Sequence, residues 1–305
     1  MGTTLVTGVN GLIGAAVARR LCGEGRRVVG MDRVPPPGCS YPFLSHDLPD
    51  PQRWHEAIVG HHVSAIVHAG GVSGPMVMPD APARALDINV LGLYSLLEAA
   101  RIHNVRRVVW FSSILAYGAQ DDLTAVPEAR PLLPDTVYGA GKAAGEALIR
   151  GYRAEHGLDA VALRVASCYG PGRTTSCLIR TLVEDGLNGR TTQVADPAGV
   201  TRQHVFVEDV VDAVCVALEP SRPLAAAYNI GPGEAQTLPQ LVDAVREAVP
   251  GVQLQVTADA PVYNVFPLGP LEVSAARRDL DFSPSVPLSV GAELTRQWVT
   301  ARGHG

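Results

Sequence analysis

A chain of 305 residues, 47% hydrophobic and 18% charged, can bury a substantial core and lacks the composition of a disordered protein. Thirty acidic residues against 25 basic ones leave a formal charge of -5 with no basic stripe, which argues against nucleic acid as a partner. Five cysteines without a Cys-x-x-Cys pair argue against a disulfide framework or zinc ribbon. The nine histidines lack ligand spacing; they read as solvated or capping side chains, and no metal is expected. No segment approaches the ~20 apolar residues of a membrane helix, and the first residues lack the layout of a secretory signal. No membrane partner is expected, and a soluble, cytoplasmic protein is.

In chain order, "TTLVTG" reads as a short buried strand, after which Leu12, Ile13, Val17 and Leu21 recur at helical spacing. "RRVVGMD", "VSAIVHAGG" and "RRVVWFSS" are further strands with helical stretches between them. Strands alternating with helices imply a parallel sheet covered on both faces, and the near absence of period-two alternation agrees. The fold class expected is α/β, a Rossmann-type doubly wound parallel sheet. Gly8, Gly11 and Gly14 lie between the first strand and its helix, and Asp32 ends the next strand about 20 residues on. In that setting the glycines form a turn that a pyrophosphate can approach, and Asp32 can accept both ribose hydroxyls of an adenosine.

Past residue 167 the chain becomes loop-rich, with shorter helical patterns near 176–187, 208–218 and 237–248. The division expected is a dinucleotide-binding domain over 1–166 and a smaller substrate-binding lobe over 167–305. That lobe is interleaved with the first part and does not fold independently, and a substrate would lie in the cleft between them. Between strand and lobe, "FSSILAYG" carries two adjacent serines, and "VYGAGKAAGEALIR" opens a helix with Tyr138 and Lys142 four apart on one face. A nearby ammonium stabilises a phenolate and would lower the tyrosine pKa from about 10, preparing a general base. A serine hydroxyl can then hold the substrate oxygen.

These segments, with "MDR", "HDL", "DINVLGLYSLLEAAR", "LRVASCYGPG", "RQHVFVEDVVDA" and "YNIGPGE", resemble in order the motifs of the extended short-chain dehydrogenase/reductase superfamily. The group resembled is the NAD-dependent epimerase/dehydratase family, which includes nucleotide-sugar 4-epimerases. The resemblance implies NAD as cofactor, with Gly8, Gly11 and Gly14 at the pyrophosphate and Asp32 at the adenosine ribose. Asp47 and Leu48 would contact adenine, while Ala69, Gly70 and Gly71 run along the cofactor. It makes Ser113 the substrate-orienting serine and Tyr138 the acid/base, and Lys142 both binds the nicotinamide ribose and supports the tyrosine. Relatives pair through helices matching residues 84–103 and 138–156, so a homodimer is expected.

Several positions depart from the family pattern. The acidic pair that follows the serine in sugar 4,6-dehydratases is replaced by Ile114 and Leu115, which move no protons, so dehydration is not expected. Leu115 likewise replaces the cysteine of 3,5-epimerising relatives. Ser167 stands where nucleotide-sugar enzymes have Asn, and no arginine precedes Arg277 in the segment that usually carries a diphosphate-gripping one. Arg202 matches a phosphate-contacting arginine, with an ion pair to Glu208 or Asp209 as the structural alternative. The reading is an NAD-dependent oxidoreductase acting at a secondary alcohol of a sugar or sugar acid without a nucleotide. Ser73, Ser113, Ser167, Arg173 and Arg202 would be its contacts. A nucleotide-sugar 4-epimerase is the alternative, and a non-catalytic dinucleotide sensor of the same fold a third.

Overall fold

The computed structural model describes residues 2–302 except 49, 198–199, 220–221 and 264–266. The first half runs β1 (Thr3–Thr7), α1 (Leu12–Gly23), β2 (Val28–Asp32), β3 (Phe43–Ser45), α2 (Gln52–Gly60), β4 (Val63–His68) and α3 (Pro82–Leu86). A π-helical turn (Asp87–Leu91), α4 (Gly92–Ile102), β5 (Arg107–Ser113), α5 (Val137–His156) and β6 (Ala160–Val165) complete it. The second half contributes β7 (Ser167–Tyr169), α6 (Leu178–Leu187), β8 (Thr191–Val194), β9 (His204–Phe206), α7 (Val207–Ala217) and β10 (Ala227–Ile230). It ends with α8 (Leu238–Ala248), β11 (Gln253–Val256), α9 (Ser274–Leu280) and α10 (Leu288–Arg302).

Seven strands form one sheet in the order β10-β6-β5-β4-β1-β2-β3, all parallel. Its faces are set by side-chain alternation. Val6, Val67 and Val109 face α1 and α7, whereas Leu5, Ile66 and Val108 face Trp54 of α2 and Leu93, Leu96 and Leu97 of α4. Since both faces are covered, every residue of β1, β5 and β6 is buried, which is why these strands read as continuous apolar runs. The order reverses between β1 and β4, where crossovers depart to opposite faces. Doubly wound sheets hold ligands beyond the strand ends at such a point.

Residue 166 is a boundary in sequence but not in space. β10 pairs with β6 in the main sheet, α7 packs on α1, and backbone bonds join Gln120 and Val126 to Pro267 and Pro270. Two small parallel pairs, β7 with β9 and β8 with β11, sit apart from the sheet, and α10 packs on α6 and α8. The helix expected over 84–103 is interrupted by the π-helical turn. There Asn89 faces inward, accepting from Val72 N at 2.9 Å and donating to Val72 O at 3.1 Å. No helix of the described residues is long and apolar enough to cross a membrane.

Candidate active site

A cleft of about 650 Å³ opens at the carboxyl ends of β1, β2, β4, β5 and β6. At one end Gly8 leaves β1 with φ +69°, a conformation that side chains disfavour, and a Cβ there would lie 2.6 Å from Ala69 O. The tight turn lets Gly11 N bond Gly8 O at 2.8 Å and starts α1 with no side-chain cap, leaving its first amides free to donate. Asp32 closes this end: its carboxylate accepts from Asn10 N at 2.9 Å and Arg33 N at 2.7 Å, which fixes it beside the glycine turn. Asp47 forms an ion pair with Arg84 at 2.8 Å, and both line the cleft with Leu48, Ala69, Gly70, Gly71 and Ser73.

At the other end β5 delivers Ser113, and α5 delivers Tyr138 and Lys142. Thr136 caps α5 by accepting from Gly139 N at 3.0 Å, so Tyr138 stands in the first turn. Close seating depends on small residues, because a Cβ at Gly139 would lie 2.3 Å from Leu115 O and one at Gly145 2.4 Å from the Trp110 ring. Lys142 is buried, donates to Phe111 O at 2.7 Å and lies 5.6 Å from the centre of the Tyr138 ring. Burial lowers its pKa to about 8, opposed by the carboxylate of Glu146.

The tyrosine does not follow expectation. Burial lifts the Tyr138 phenol to about 12, and the groups that pull it down are its side-chain bond to Ser113 and the charge of Arg173. Lys142 directs its ammonium to the Phe111 carbonyl instead. Desolvation, which favours the neutral phenol, therefore outweighs the helical spacing that suggested a lowered value.

Most residues singled out from sequence line this one cleft: Gly8, Gly11, Asp32, Asp47, Leu48, Ala69, Gly70, Gly71, Ser73, Ser113, Tyr138, Lys142, Ser167 and Arg173. Gly14 does not. A Cβ on it would lie 2.2 Å from Gly8 O, so it serves close packing of α1 against the turn. Arg202 is also absent from the lining. It is 2% exposed and pairs with Asp196 at 2.7 Å, while Glu208 pairs with Arg19 and Arg20, and Asp209 accepts from Ser285. The Nε and Nη2 of Arg202 find no partner among the described residues. Arg173 commits both terminal nitrogens to the carbonyls of Cys168 and Ser176. Three histidines read as solvated or capping, His46, His68 and His204, are buried, and His68 bonds Thr7 Oγ1 at 2.8 Å. Sequence reading missed Asn10, Arg84 and the apolar segment at Met76, Val77 and Met78, which also line the cleft. None of these carries a local pattern that marks it.

The model of the NAD-dependent epimerase/dehydratase family matches residues 4–231. The chain belongs to this family. A UDP-glucose 4-epimerase of Mycolicibacterium smegmatis is 31% identical, over 96% of each chain. A dTDP-glucose 4,6-dehydratase of Streptomyces niveus is 27% identical, over 96% of this chain and 91% of its own. Among solved structures, the UDP-glucose 4-epimerase of Thermotoga maritima with UDP-glucose has a TM-score of 0.89 at 25% identity, covering 98% of this chain and 99% of its own. That of Thermus thermophilus in complex with NAD has a TM-score of 0.86 at 27% identity, over the same shares. The family and the doubly wound fold expected from sequence are thereby shown, as is an NAD-dependent enzyme of carbohydrate chemistry.

Proposed function

We propose that the protein is a nucleotide-sugar 4-epimerase that oxidises and re-reduces one carbinol carbon of a UDP-hexose with bound NAD. The observation that carries the reading is the single proton-moving phenol at the reactive end, among the described residues. Around Ser113 and Tyr138 the cleft holds Ile114, Leu115, Ser167 and Cys168, and its carboxylates, Asp32 and Asp47, lie at the far end. One acid/base suffices to interconvert an alcohol and a ketone, whereas eliminating water needs a second. Tyr138 Oη, once deprotonated, takes the hydroxyl proton and later returns it, Ser113 Oγ holds the same substrate oxygen, and Lys142, tied to the Phe111 carbonyl, would hold the cofactor ribose. Gly8, Gly11 and the start of α1 would hold the pyrophosphate, Asp32 the adenosine ribose, and Asp47 and Leu48 the adenine. NAD held by these residues would supply a reversible hydride acceptor for the carbinol carbon, while Ser113 and Arg173 draw the phenol of Tyr138 toward deprotonation.

A nucleotide on the substrate departs from the expectation drawn from Ser167 and the arginine-poor 262–274 segment. Its support is the similarity to the UDP-glucose 4-epimerase of Mycolicibacterium smegmatis, to which Arg202, outside the cleft lining, adds buried Nε and Nη2 atoms without partners among the described residues. Unsatisfied buried donors cost about 1–3 kcal/mol each, and a diphosphate oxygen is the acceptor such a guanidinium suits. Arg202 stands two residues before His204, the ladder partner of Ser167 in the cleft wall. The fully active unit in this proposal is a homodimer. Leu86, Leu91, Tyr94, Ile102 and Val137 expose apolar surface along α3, the π-helical turn, α4 and the start of α5, a stripe that a second copy would cover.

Incubation with UDP-glucose tests the reading. Formation of UDP-galactose without accumulating NADH is the expected result; NADH in proportion to substrate would instead make the protein a dehydrogenase. Calorimetric titration with UDP should give a Kd tighter than roughly 100 μM, about 5.5 kcal/mol, and no binding would return the substrate to a free sugar or sugar acid. Sedimentation of a ~32 kDa species at micromolar concentration would remove the dimer.

A further inference from the structure

Of the 25 basic residues in this chain, only Lys142 is a lysine. Arginine stays charged and forms forked bonds, whereas a lysine's charge responds to its surroundings. One turn further along α5 lies Glu146, buried and outside the cleft lining. Its Oε1 accepts from Ser112 Oγ at 2.5 Å and Arg164 Nε at 3.0 Å, and its Oε2 from Arg164 Nη2 at 2.7 Å. Ser112 and Arg164 are themselves ladder partners on β5 and β6. From Arg164 the chain of bonds continues through Nη1 to the Tyr117 hydroxyl at 2.6 Å and Glu128 O at 2.8 Å. Tyr117 then donates to Asn229 Oδ1 at 2.8 Å, and Asn229 Nδ2 donates to Val126 O at 2.8 Å and Glu272 O at 3.0 Å. A buried ion pair is a poor source of net stability, but it fixes geometry because breaking any member strands the rest.

We propose that Glu146 is a positioning residue for the reactive end: its carboxylate, bound by Ser112 and Arg164, locks α5 onto β5 and β6 and thereby sets Lys142 and Tyr138 against Ser113. The lock crosses three neighbouring strands, β5, β6 and β10, and ends in the 126–128 and 272 segments, so it joins the reactive end to the second half of the chain. Among the described residues Glu146 also supplies the one carboxylate acting on Lys142. Groups facing the ammonium are Tyr138 and Glu146 on its own helix, the Trp110 ring and Phe111 carbonyl on β5, and His68 on β4. Arg164 lies beyond Glu146 on β6, and Arg173 faces Tyr138. Removing the negative charge destabilises the protonated amine, so its titration moves to lower pH.

The sole lysine makes this measurable without substrate, which keeps the test independent of the epimerase reading. Protein labelled with ¹³C-lysine gives one side-chain Cε signal, expected to titrate near pH 8. In Glu146→Gln the midpoint should fall by about one unit or more, and in Glu146→Asp it should stay near the wild-type value. A folded Glu146→Gln protein with an unchanged midpoint would overturn the proposal. Should that variant fail to fold, Ser112→Ala keeps the ion pair and removes only the tie to β5. It should broaden the Cε line and weaken NAD binding several-fold, and wild-type behaviour in both would equally sink the idea.

Discussion

The two ends of the cleft are built by different means. At the glycine end a single βαβ unit offers backbone amides and one strand-end carboxylate, Gly8, Gly11, the first turn of α1 and Asp32, with the Asp47–Arg84 pair added from outside that unit. At the tyrosine end the walls are side chains from β5, α5 and the β6–β7 segment, held by a buried network that reaches Asn229 and Glu272. A site made of local backbone tolerates side-chain change and fails when the turn itself is altered. One made of remote side chains fails in function long before it fails in fold.

The largest effect should come from the side-chain end. Tyr138→Phe removes one hydroxyl from a well-packed ring, so turnover should fall by roughly 10²–10⁴-fold while NAD affinity stays close to wild type. Stopped-flow turnover alongside NAD titration checks this, and a Phe variant with normal turnover would remove Tyr138 from its role. Next comes the backbone end, where Gly8→Ala should weaken NAD binding severely and destabilise the fold by about 1–3 kcal/mol. The φ of +69° is strained for alanine, and its Cβ would meet the Ala69–Gly70 peptide. If denaturant melts and NAD binding are both unaffected, the backbone account of this end is mistaken.

A smaller change is expected from Asp32→Asn. In the proposed pose Asp32 would place negative charge where a 2′-phosphate would sit, so neutralising it should narrow the preference for NAD over NADP in kcat/KM. The exposed Arg33 beside it would then be free to favour the phosphate, and an unaltered ratio would mean that Asp32 does not read the ribose.

The effect that touches function least concerns acid stability, which separates buried His68 and His204 from the cleft. Burial depresses His68 to about 3 and His204 to about 4. Both are neutral in the fold and gain protons more readily when unfolded. Their contribution to stability is therefore complete above about pH 6.5 and is lost as pH falls toward 4 and 3. Urea midpoints should decline between about pH 7 and 5, and His204→Gln should flatten that slope. An equal slope in the variant would assign the acid sensitivity elsewhere.

Much of this architecture was legible because its signals are local. The β1 turn, Asp32 and the Tyr138/Lys142 pair each lie within one strand–helix step, so the period of the apolar residues and the placement of glycine specify where the backbone goes. Strands β3, β6 and β10 carry no such local signal. β3 is three residues long, and β10 becomes a strand by pairing with β6 from the far side of residue 166. The π-helical turn has no local mark either, since the apolar pattern of 84–103 reads as one helix and only the demand of Val72 for the Asn89 amide reveals the interruption.

Sequence alone determined the doubly wound sheet, through the period of its apolar residues, and, through the resemblance of its ordered motifs, the family and most of the cleft's members, because both signals are written in short stretches of chain. Tertiary structure decided the electrostatics. Arg202 went to Asp196 and not to Glu208 or Asp209, the Tyr138 phenol was raised where helical spacing suggested lowering, and His46, His68 and His204 were buried. Charge and pKa depend on desolvation and on partners tens of residues away, and spacing along a chain carries no record of either.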